Sequence, residues 1–286
     1  MVGFINIYKP KEISSAFCVN KFKWKVKTKC GHMGTLDPLA SGVLPIALNQ
    51  ATRLFDYLLG KEKVYEAVFD FAYETPSFDL ETQPTNRATY IPSKAEIEKI
   101  LPKYVGNVSQ MPPAFSAKMI DGKRSYKLAR KGVEVNLEPK NVEILNVKIL
   151  EQVSSSAFKF EITCKGGTYI RSLARDFGSE FSCPATMISL ERTASGIFKK
   201  ENSVDINEFL KAEDISSFII KPEQVLNFDE IHLSNSLATK LLNGVYDHRY
   251  NNQNGTYKIF CEKDFWGVGE VFNGVLKMKT YVRDTK

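Results

Sequence analysis

The chain has 286 residues, of which 43% are hydrophobic and 25% are charged, and it contains no low-complexity tract. This length and composition predict a globular protein with a substantial core, long enough for one large domain and a small one. Lys and Arg number 39 against 33 Asp and Glu, so the net charge is +6. The positive excess favours a polyanion such as nucleic acid as the partner, but a weakly basic housekeeping enzyme explains it equally well.

The sequence predicts neither a membrane span nor a secretion signal. Lys9 and Pro10 interrupt the N-terminus before any apolar run long enough for a signal peptide, and about 18 consecutive uncharged apolar residues occur nowhere. We therefore expect a cytoplasmic protein. We also expect free thiols and no metal site, because the cysteines form no CxxC pair and have no metal-ligand spacing to the histidines. They are Cys18, Cys30, Cys164, Cys183 and Cys261.

The first elements follow from apolar spacing and capping residues. Residues 1–10 alternate apolar side chains and predict a short strand that ends at Lys9-Pro10. Ser14 and Ser15 are suited to cap a helix that starts near Ala16. The stretch KFKWKVKTK, residues 21–29, places Lys at every second position, which is the periodicity of a strand.

Strands and helices then interleave irregularly, which predicts a mixed α+β fold on a mainly antiparallel sheet rather than a regular βαβ array. The predicted strands are 63–75, 141–150 and 157–164. The predicted helices are 93–106 behind a Ser cap, 124–135 with a stop at Gly132, and 168–181.

The composition changes from about residue 199. A polar stretch contains one amphipathic helix that Ser203 is expected to cap, and residues 221–228 resemble a linker. Short alternating runs follow, separated by Asn-Gly pairs at 243–244, 254–255 and 273–274 that indicate tight turns. We therefore predict two domains, residues 1–226 and a small β-rich domain over residues 227–286.

The stretch GHMGTLDPLASGVLP, Gly31 to Pro45, has two interpretations. An Asp before a Pro is usually a turn former, which is the ordinary explanation for Asp37. A loop of small residues that carries Asp37 and His32 and is anchored by the apolar run 43–48 is also a suitable scaffold for a site.

A second polar cluster, CKGGTYIRSLARD over residues 164–176, has an ordinary explanation too. It reads as a Gly-Gly turn into an amphipathic helix, with Tyr169 in the core and Arg171 and Arg175 on the solvated face. The motifs GxxxxGK[ST], GxGxxG, HExxH and GxSxG are missing from the sequence, which disfavours nucleotide-driven transfer, hydride transfer and the common metallohydrolases.

Several blocks together resemble one family. GHMGTLDPLASGVLP is similar to the GHxGTLDPxAxGxLP signature of the TruB family of tRNA pseudouridine synthases. INIYKPKEISS, KVYEAVFDFAYETPSFD, QMPPAFSAKMIDGKRSYKLARKG, GGTYIRSLARDFG and LERTASG resemble further family segments. The blocks occur in family order and cover most of residues 3–198. The C-terminal end, FWGVGEVFNGVLKMKTYV, resembles more weakly the PUA-like RNA-binding domain of many members, against the alternative of a generic small β-barrel that packs on the enzyme.

The resemblance implies an enzyme that converts the uridine at position 55, in the T loop of tRNA, to pseudouridine without a cofactor. Asp37 matches the family's catalytic aspartate, a nucleophile for the anomeric carbon or for the ring. Arg171 matches the arginine that pairs with it, and an opposite charge nearby lowers a carboxyl pKa and keeps the acid ionised. Tyr65 matches the tyrosine that stacks on the flipped base and is a candidate acceptor for the carbon 5 proton.

The resemblance also implies that three further residues contact the substrate. Tyr169 and Leu190 match the residues that complete the uracil pocket, and His32 matches a histidine that engages the RNA around the vacated stack rather than a metal. The family expectation is a monomer with tRNA as its partner, with no obligatory protein partner and no contact with a membrane.

Three departures from the family pattern predict weakened RNA contacts with unchanged chemistry. Tyr8 stands where an Asp usually precedes the KP pair, Phe69 with Asp70-Phe71 replaces Leu-Gly, and Glu191 replaces the first arginine of LRRT. Residues 16–25 are helical in the family, and we follow the family there against the period of two.

Two other functions remain open. In the first, the chain is chiefly an RNA-binding or tRNA-folding protein and catalysis is secondary, which leaves Asp37 without a purpose. In the second, it is a guide-dependent synthase of the archaeal and eukaryotic type, against which the lack of extra protein-docking extensions counts.

Overall fold

The computed structural model describes residues 1–58, 61–116, 118–120, 122–242 and 253–282. The helices in these ranges are α1 Ser15–Val26, α2 Phe55–Leu58, α3 Lys94–Ile100, α4 Ser125–Ala129, α5 Ile170–Ser179, α6 Ile206–Lys211, α7 Pro222–Val225 and α8 Asn235–Leu242. Short 3-10 helices cover Asn49–Leu54, Leu101–Tyr104, Lys200–Asn202 and Ser216–Phe218.

Most strands belong to one large sheet with the order β14-β1-β3-β12-β4-β11-β10-β7, to which β2 and β13 add at the sides. Its strands are β1 Gly3–Lys9, β2 Cys30–His32, β3 Ser41–Leu48, β4 Lys63–Asp70, β7 Gly106–Gln110, β10 Lys140–Gln152, β11 Ala157–Cys164, β12 Thr186–Ser195, β13 Phe198–Lys199 and β14 Val204–Asp205. Two-residue strands form two small ribbons, β5 Tyr73–Glu74 with β6 Asn86–Arg87 and β8 Met119–Ile120 with β9 Lys123–Arg124.

The large sheet is mixed but mainly antiparallel, as predicted. The parallel pairs are β1 with β14 and β3 with β12, and the other ladders run antiparallel. All residues of β3 are buried because its side chains alternate between two apolar clusters, with Leu44 and Ile46 in one and Val43 and Ala47 in the other. A strand covered on both faces reads as a continuous apolar run, which is what the sequence shows there.

The main core lies on one face of this sheet, beneath the helices. Phe177 of α5 packs against Phe69 and Phe160 at ring-centroid distances of 5.7 and 5.6 Å. The Tyr104 ring lies 4.7 Å from that of Phe177 and its hydroxyl donates to the Asp176 carbonyl. Because these aromatic side chains interlock β4, β11 and α5, the helix that carries Arg171 is held rigidly against the sheet.

The strand predicted from the alternating lysines of residues 21–29 is wrong. These residues continue helix α1 to Val26, as the family resemblance indicated, and Ser14 caps the helix by accepting from the Phe17 N–H. Cys18 and Phe22, four residues apart, are fully buried, and Phe22 stacks on Phe209 of α6 at 4.3 Å. Burial of one helical face outweighs a period of two among exposed lysines.

The predicted helix over 93–106 is confirmed as α3 followed by a 3-10 turn, with Ser93 and Glu96 forming a capping box. The helix predicted over 124–135 is shorter, since α4 ends at Ala129 before Gly132 adopts a positive φ of 72°. The cap predicted at Ser203 is wrong: Asp205 caps α6 by accepting from the N–H groups of Asn207 and Glu208, because Val204 still pairs as a strand.

The second sheet lies in the C-terminal part and has the order β15-β16-β17-β18. Its strands are β15 Glu230–Leu233, β16 Gly255–Cys261, β17 Asp264–Phe272 and β18 Val275–Tyr281. Asn273 and Gly274 form the tight turn predicted between β17 and β18, with φ of 49° and 77°. Asn254-Gly255 leads into β16, and the pair at 243–244 lies outside the described residues.

The segment 221–228 is not an exposed linker. It contains α7, and Val225 and Leu226 are buried in an apolar cluster with Phe4 of β1 and Val268 of β17. These contacts join the N-terminal strand to the second sheet, so the segment behaves as packed structure.

None of the helices in the described ranges is long and apolar enough to cross a membrane. None of the five cysteines forms a disulfide.

Candidate active site

The loop that carries Asp37 is held in place from both sides. Ser15, the first residue of α1, donates from its hydroxyl to the Leu36 carbonyl and accepts from the Leu36 N–H, both at 2.9 Å. The Ala40 N–H donates to the Asp37 carbonyl at 3.0 Å. The turn interpretation of Asp37 is therefore right for its backbone, and the same turn leaves its carboxylate facing a cavity.

Two buried cations that the sequence did not single out support this loop. Lys9, fully buried, donates from Nζ to the Pro38 carbonyl of the loop at 3.4 Å and to the carbonyls of Pro10 and Ile13 at 2.9 and 2.7 Å. Arg192 of β12 donates to the Val43 carbonyl at 2.8 Å and to the Gly34 carbonyl at 3.1 Å. Burial lowers the pKa of Lys9 to about 8.

Gly42 explains how β12 comes so close to this loop. Its φ is 113°, and a Cβ at this position would lie 2.2 Å from the Arg192 carbonyl oxygen. Only glycine adopts this conformation without strain and leaves room for the backbone of β12. The glycine of the motif thus places Arg192 beneath the Asp37 loop.

Arg171 connects two carboxylates. Its Nε lies 3.0 Å from Oδ2 of Asp37, and its Nη1 lies 3.2 Å from Oδ2 of Asp79. Nη1 and Nη2 also donate to the carbonyls of Ser77 and Phe115 at 3.3 and 3.0 Å. A planar guanidinium satisfies several acceptors in fixed directions, so this network sets the position of the Asp37 carboxylate.

The expectation that Arg171 lies on a solvated helix face is wrong, since its side chain is only 5% exposed. The whole first turn of α5 is buried, so the amphipathic pattern did not reveal which side faces water. Arg175, one turn further on, is half-buried and pairs with Asp176 at 2.6 Å.

The pKa of Asp37 is raised above its ordinary value because burial disfavours the charged form. The Arg171 guanidinium acts in the opposite direction, while the negative charges of Asp79 and Glu81 add to the rise. The lowering of the pKa expected from Arg171 is present, but burial outweighs it. Desolvation, which a motif does not report, makes the difference.

Asp37 opens into a cavity of about 260 Å3. Its lining includes every predicted site residue except His32, namely Asp37, Tyr65, Tyr169, Arg171 and Leu190, together with Lys63, Ser116 and Arg192. Binding sites for drug-sized ligands have volumes of roughly 300–1,000 Å3. The volume of this cavity is smaller, so the cavity suits one nucleobase. The sequence therefore identified residues from four separate segments that meet in space.

Tyr65 forms part of the cavity wall and is 7% exposed. Burial raises the pKa of Tyr65 above its ordinary value, while a hydrogen bond and charge from Arg192 act against the rise. The phenol therefore stays protonated at neutral pH, which favours a stacking surface over a phenolate base. Burial and the charge of Arg192 also lower the pKa of the neighbouring Lys63 to about 8.

Gln110 positions Tyr169. Its side chain accepts from the Tyr169 N–H at 2.8 Å and donates to the Tyr169 carbonyl at 3.1 Å. Gln110 is 1% exposed and ends β7, at the far edge of the large sheet. The glutamine of the segment QMPPAFSAK thus has a structural purpose that its sequence position alone did not reveal.

His32 lies on β2, outside the lining of this cavity. Burial and the charge of Arg192 lower the pKa of His32. Its Nδ1 is buried without a hydrogen-bond partner among the described residues. The structure therefore brings five of the six predicted residues together and places His32 beside them.

Two of the three departures from the family pattern meet in space. The Tyr8 hydroxyl donates to Oε1 of Glu191 at 2.6 Å, and Nζ of Lys200 lies 2.8 Å from the same oxygen. Burial alone would raise the pKa of Glu191, but the hydrogen bonds from Lys200 and Tyr8 hold it below its ordinary value. Since Glu191 alternates along β12 with Leu190 and Arg192, it faces away from the cavity. The negative charge that replaces the family's arginine therefore lies outside the cavity.

In the described ranges, no group of three His, Cys, Asp or Glu side chains is arranged to hold a metal ion.

Comparisons with known proteins show which family the sequence matches. A family model described as TruB family pseudouridylate synthase (N terminal domain) matches residues 21–170. The tRNA pseudouridine synthase B of Clostridium novyi (strain NT) is 39% identical over 278 residues, 94% of this chain and 95% of that protein. The enzyme of the same name from Brucella ovis is 39% identical over 236 residues, 80% of this chain and 73% of that protein.

Solved structures share the fold. The structure of an H/ACA RNP bound to a substrate RNA containing 2'-deoxyuridine matches with a TM-score of 0.73 at 20% identity, over 98% of this chain and 85% of that one. A Cbf5-Nop10-Gar1 complex matches with a TM-score of 0.69 at 24% identity, over 94% and 78%.

The family model and the names of the curated relatives identify a pseudouridine synthase. With the family model matching half of the sequence and relatives at 39% identity, the chain belongs to the TruB family of pseudouridylate synthases.

Proposed function

We propose that the chain converts the uridine at position 55, in the T loop of tRNA, to pseudouridine. One observation carries the proposal: the Asp37 carboxylate, held by Arg171 at 3.0 Å, opens into a cavity of about 260 Å3 beside Tyr65. The relatives named tRNA pseudouridine synthase B support tRNA as the substrate. The net charge of +6 agrees with an RNA partner.

The reaction is an isomerisation that balances without another reactant. The bond from the anomeric carbon of the ribose to N1 of uracil breaks, the base turns, and a bond from the same carbon to C5 forms. C5 loses a proton and N1 gains one, so neither a redox carrier nor nucleotide energy is required. Asp37 acts as the nucleophile, and attack at the anomeric carbon and attack at the ring both require its ionised form.

The other cavity residues receive roles that follow from their positions. Tyr65 stacks on the flipped uracil, and Tyr169 and Leu190 close the pocket around it. His32, beside the cavity, contacts the RNA where the base has left its stack. Extruding a base costs about a few kcal/mol, which stacking and phosphate contacts offset.

We propose further that residues 1–226 form the catalytic domain and residues 227–286 a PUA-like domain that contacts the RNA. The separate sheet β15-β16-β17-β18 supports this division. The enzyme acts as a monomer in the cytoplasm and needs no obligatory protein partner. The TruB relatives cover nearly the whole chain, which favours a stand-alone enzyme over a guide-dependent one.

The test is tritium release from a tRNA transcript labelled at carbon 5 of uridine. Asp37→Asn should bind the transcript within about tenfold of the wild-type affinity and release no tritium, because an amide is not a nucleophile. Asp70→Asn is the matched control. Asp70 accepts from the Ala72 N–H at 2.9 Å and does not line the cavity, so this substitution should leave tritium release unchanged. Normal release by Asp37→Asn would refute the mechanism.

A second transcript tests the position. Replacing the target uridine of the T loop by cytidine should abolish release at that site by the wild-type chain. If the wild-type chain binds both transcripts and releases no tritium from either, the chain is instead an RNA-binding or tRNA-folding protein.

A further inference from the structure

Helix α1 carries an exposed aromatic side chain, Trp24, outside the core. Cys18 and Phe22 face the core, and Phe22 stacks on Phe209 with the ring planes only 2° apart. Trp24 follows two positions later, about 200° further around the helix, and is 80% exposed. Its indole therefore contributes little to the core while remaining in water.

Trp24 belongs to a continuous exposed face. Phe17, Lys21 and Trp24 are spaced at i, i+4 and i+7, which places them on one side of the helix. Phe17 is 47% exposed, and Nζ of Lys21 lies 5.5 Å from the centre of its ring. One exposed apolar residue is ordinary, but two aromatic residues with a lysine between them form a surface.

Along α1 and the residues that follow it, the formal charge is of one sign. Residues 13–36 contain no Asp or Glu, and lysines occupy positions 21, 23, 25, 27 and 29. Lys25 turns towards α6 and donates to the Ala212 carbonyl, whereas Lys21, Lys23, Lys27 and Lys29 are exposed. A dense cluster of lysines without carboxylates attracts a polyanion and repels cationic partners.

The face starts at the active site. Ser15, at the beginning of α1, hydrogen-bonds Leu36, the residue before Asp37. At 1.5 Å per residue, Trp24 lies about 13 Å along the helix axis from Ser15. An RNA whose uridine occupies the cavity therefore has neighbouring nucleotides within reach of this face.

We propose that Phe17, Lys21 and Trp24, with the exposed lysines beside them, form a second contact surface for the RNA substrate, on which an unpaired base stacks against Trp24 while the lysines bind the flanking phosphates. The inference rests on the proposed function and extends it beyond the flipped nucleotide. Phosphates alone require only the lysines, whereas an exposed indole among lysines suits a base with a free π-face.

The two tryptophans of the chain provide a specific probe. Trp266 is 4% exposed, so collisional quenching by acrylamide reports mainly on Trp24. Adding the tRNA transcript to full-length Asp37→Asn, which does not turn over, should quench the accessible fluorescence and protect it from acrylamide. The same titration with Trp24→Phe should show neither change.

Kinetics give the second readout. Trp24→Ala should raise KM for the transcript about 5-fold to 100-fold with kcat unchanged, since stacking on an aromatic side chain contributes to binding alone. Trp24→Phe should recover most of the loss because it keeps an aromatic face. Lys21→Gln should reduce the slope of log affinity against log salt concentration by about one phosphate contact. Lys94 is an exposed helical lysine paired with Glu98, so Lys94→Gln should leave this slope unchanged.

The possible results separate this inference from the proposed function. If the wild-type chain modifies the transcript while Trp24 fluorescence and the KM of Trp24→Ala do not change, the second surface is refuted and the function stands. If the transcript protects Trp24 but is not modified, the function fails and the surface stands. A Trp24-dependent dimer in analytical ultracentrifugation without RNA would also overturn the inference, because a second copy would then cover the face.

Discussion

Removing the buried guanidinium of Arg171 should destabilise the protein far more than removing that of Arg175, its partly exposed neighbour on the same helix. Arg171→Met deletes the contacts to Asp37, Asp79 and two backbone carbonyls, and Asp79 is left 3% exposed without its charged partner. Breaking a buried ion pair from one side costs about 3–5 kcal/mol of unfolding free energy. The Asp37 side chain is 36% exposed and regains water, so we expect the loss to stay within that range.

Arg175→Met is the matched control. Arg175 lies one turn further along α5 and pairs with Asp176 at 2.6 Å, but its side chain is 21% exposed. Partly exposed pairs of this kind contribute about 0–1 kcal/mol. Both variants would be measured by urea unfolding with far-UV circular dichroism and compared through the free energy of unfolding in water.

The double variant Arg171→Met, Asp37→Asn isolates the pair itself. If Arg171 stabilises the ionised Asp37, the two substitutions should be non-additive by about 0.5–3 kcal/mol, because the amide no longer needs the guanidinium. Equal losses for Arg171→Met and Arg175→Met, together with additive effects in the double variant, would refute the assignment of Arg171 as the group that holds Asp37.

Three further predictions test other contacts. Because burial raises the pKa of Asp37, kcat/KM should fall as the pH drops through that raised pKa and the nucleophile gains a proton. Asp79→Asn removes a neighbouring negative charge and should move this acid limb of the pH–rate profile to lower pH. Movement of the acid limb to higher pH would contradict this explanation of the raised pKa. Glu191→Arg should lower the Tm by about 2–4 °C in thermal melts, since the variant loses the Tyr8 and Lys200 contacts. Adding Tyr8→Asp should restore the Tm, and an unrestored Tm would show that the two positions are not coupled. Phe22→Ala should cost about 3–5 kcal/mol in urea unfolding because it empties the stack on Phe209, and a loss below about 1 kcal/mol would be inconsistent with the packing described.

Elements with local signals could be predicted from the sequence. Ser14 and Ser93 cap α1 and α3 through side-chain bonds to N–H groups three residues on, so their effect is encoded within one turn. The turn at Asn273-Gly274 is local in the same sense. The strand expected over residues 21–29 failed because a period of two among lysines contains no information on burial, which Phe22 and Phe209 supply from different parts of the chain.

The cavity residues Asp37, Tyr65, Tyr169, Arg171 and Leu190 were identified by the order of family motifs, and the cavity groups them as expected. Local pattern did not predict Asp79, Arg192 or Gln110, because each acts through a partner far away in the chain. The net rise of the Asp37 pKa could not be predicted for the same reason, since desolvation depends on everything packed around the carboxyl group.

Tyr8 and Glu191 show most clearly which contacts the sequence predicts and which depend on the tertiary structure. The sequence marks each as a departure from the family pattern, 183 positions apart, and indicates nothing that connects them. The sheet order places β1 and β12 on either side of β3, so the Tyr8 hydroxyl reaches the Glu191 carboxylate at 2.6 Å. Chemistry within one turn or one motif is encoded locally, whereas which strands become neighbours depends on the whole chain folding around one core.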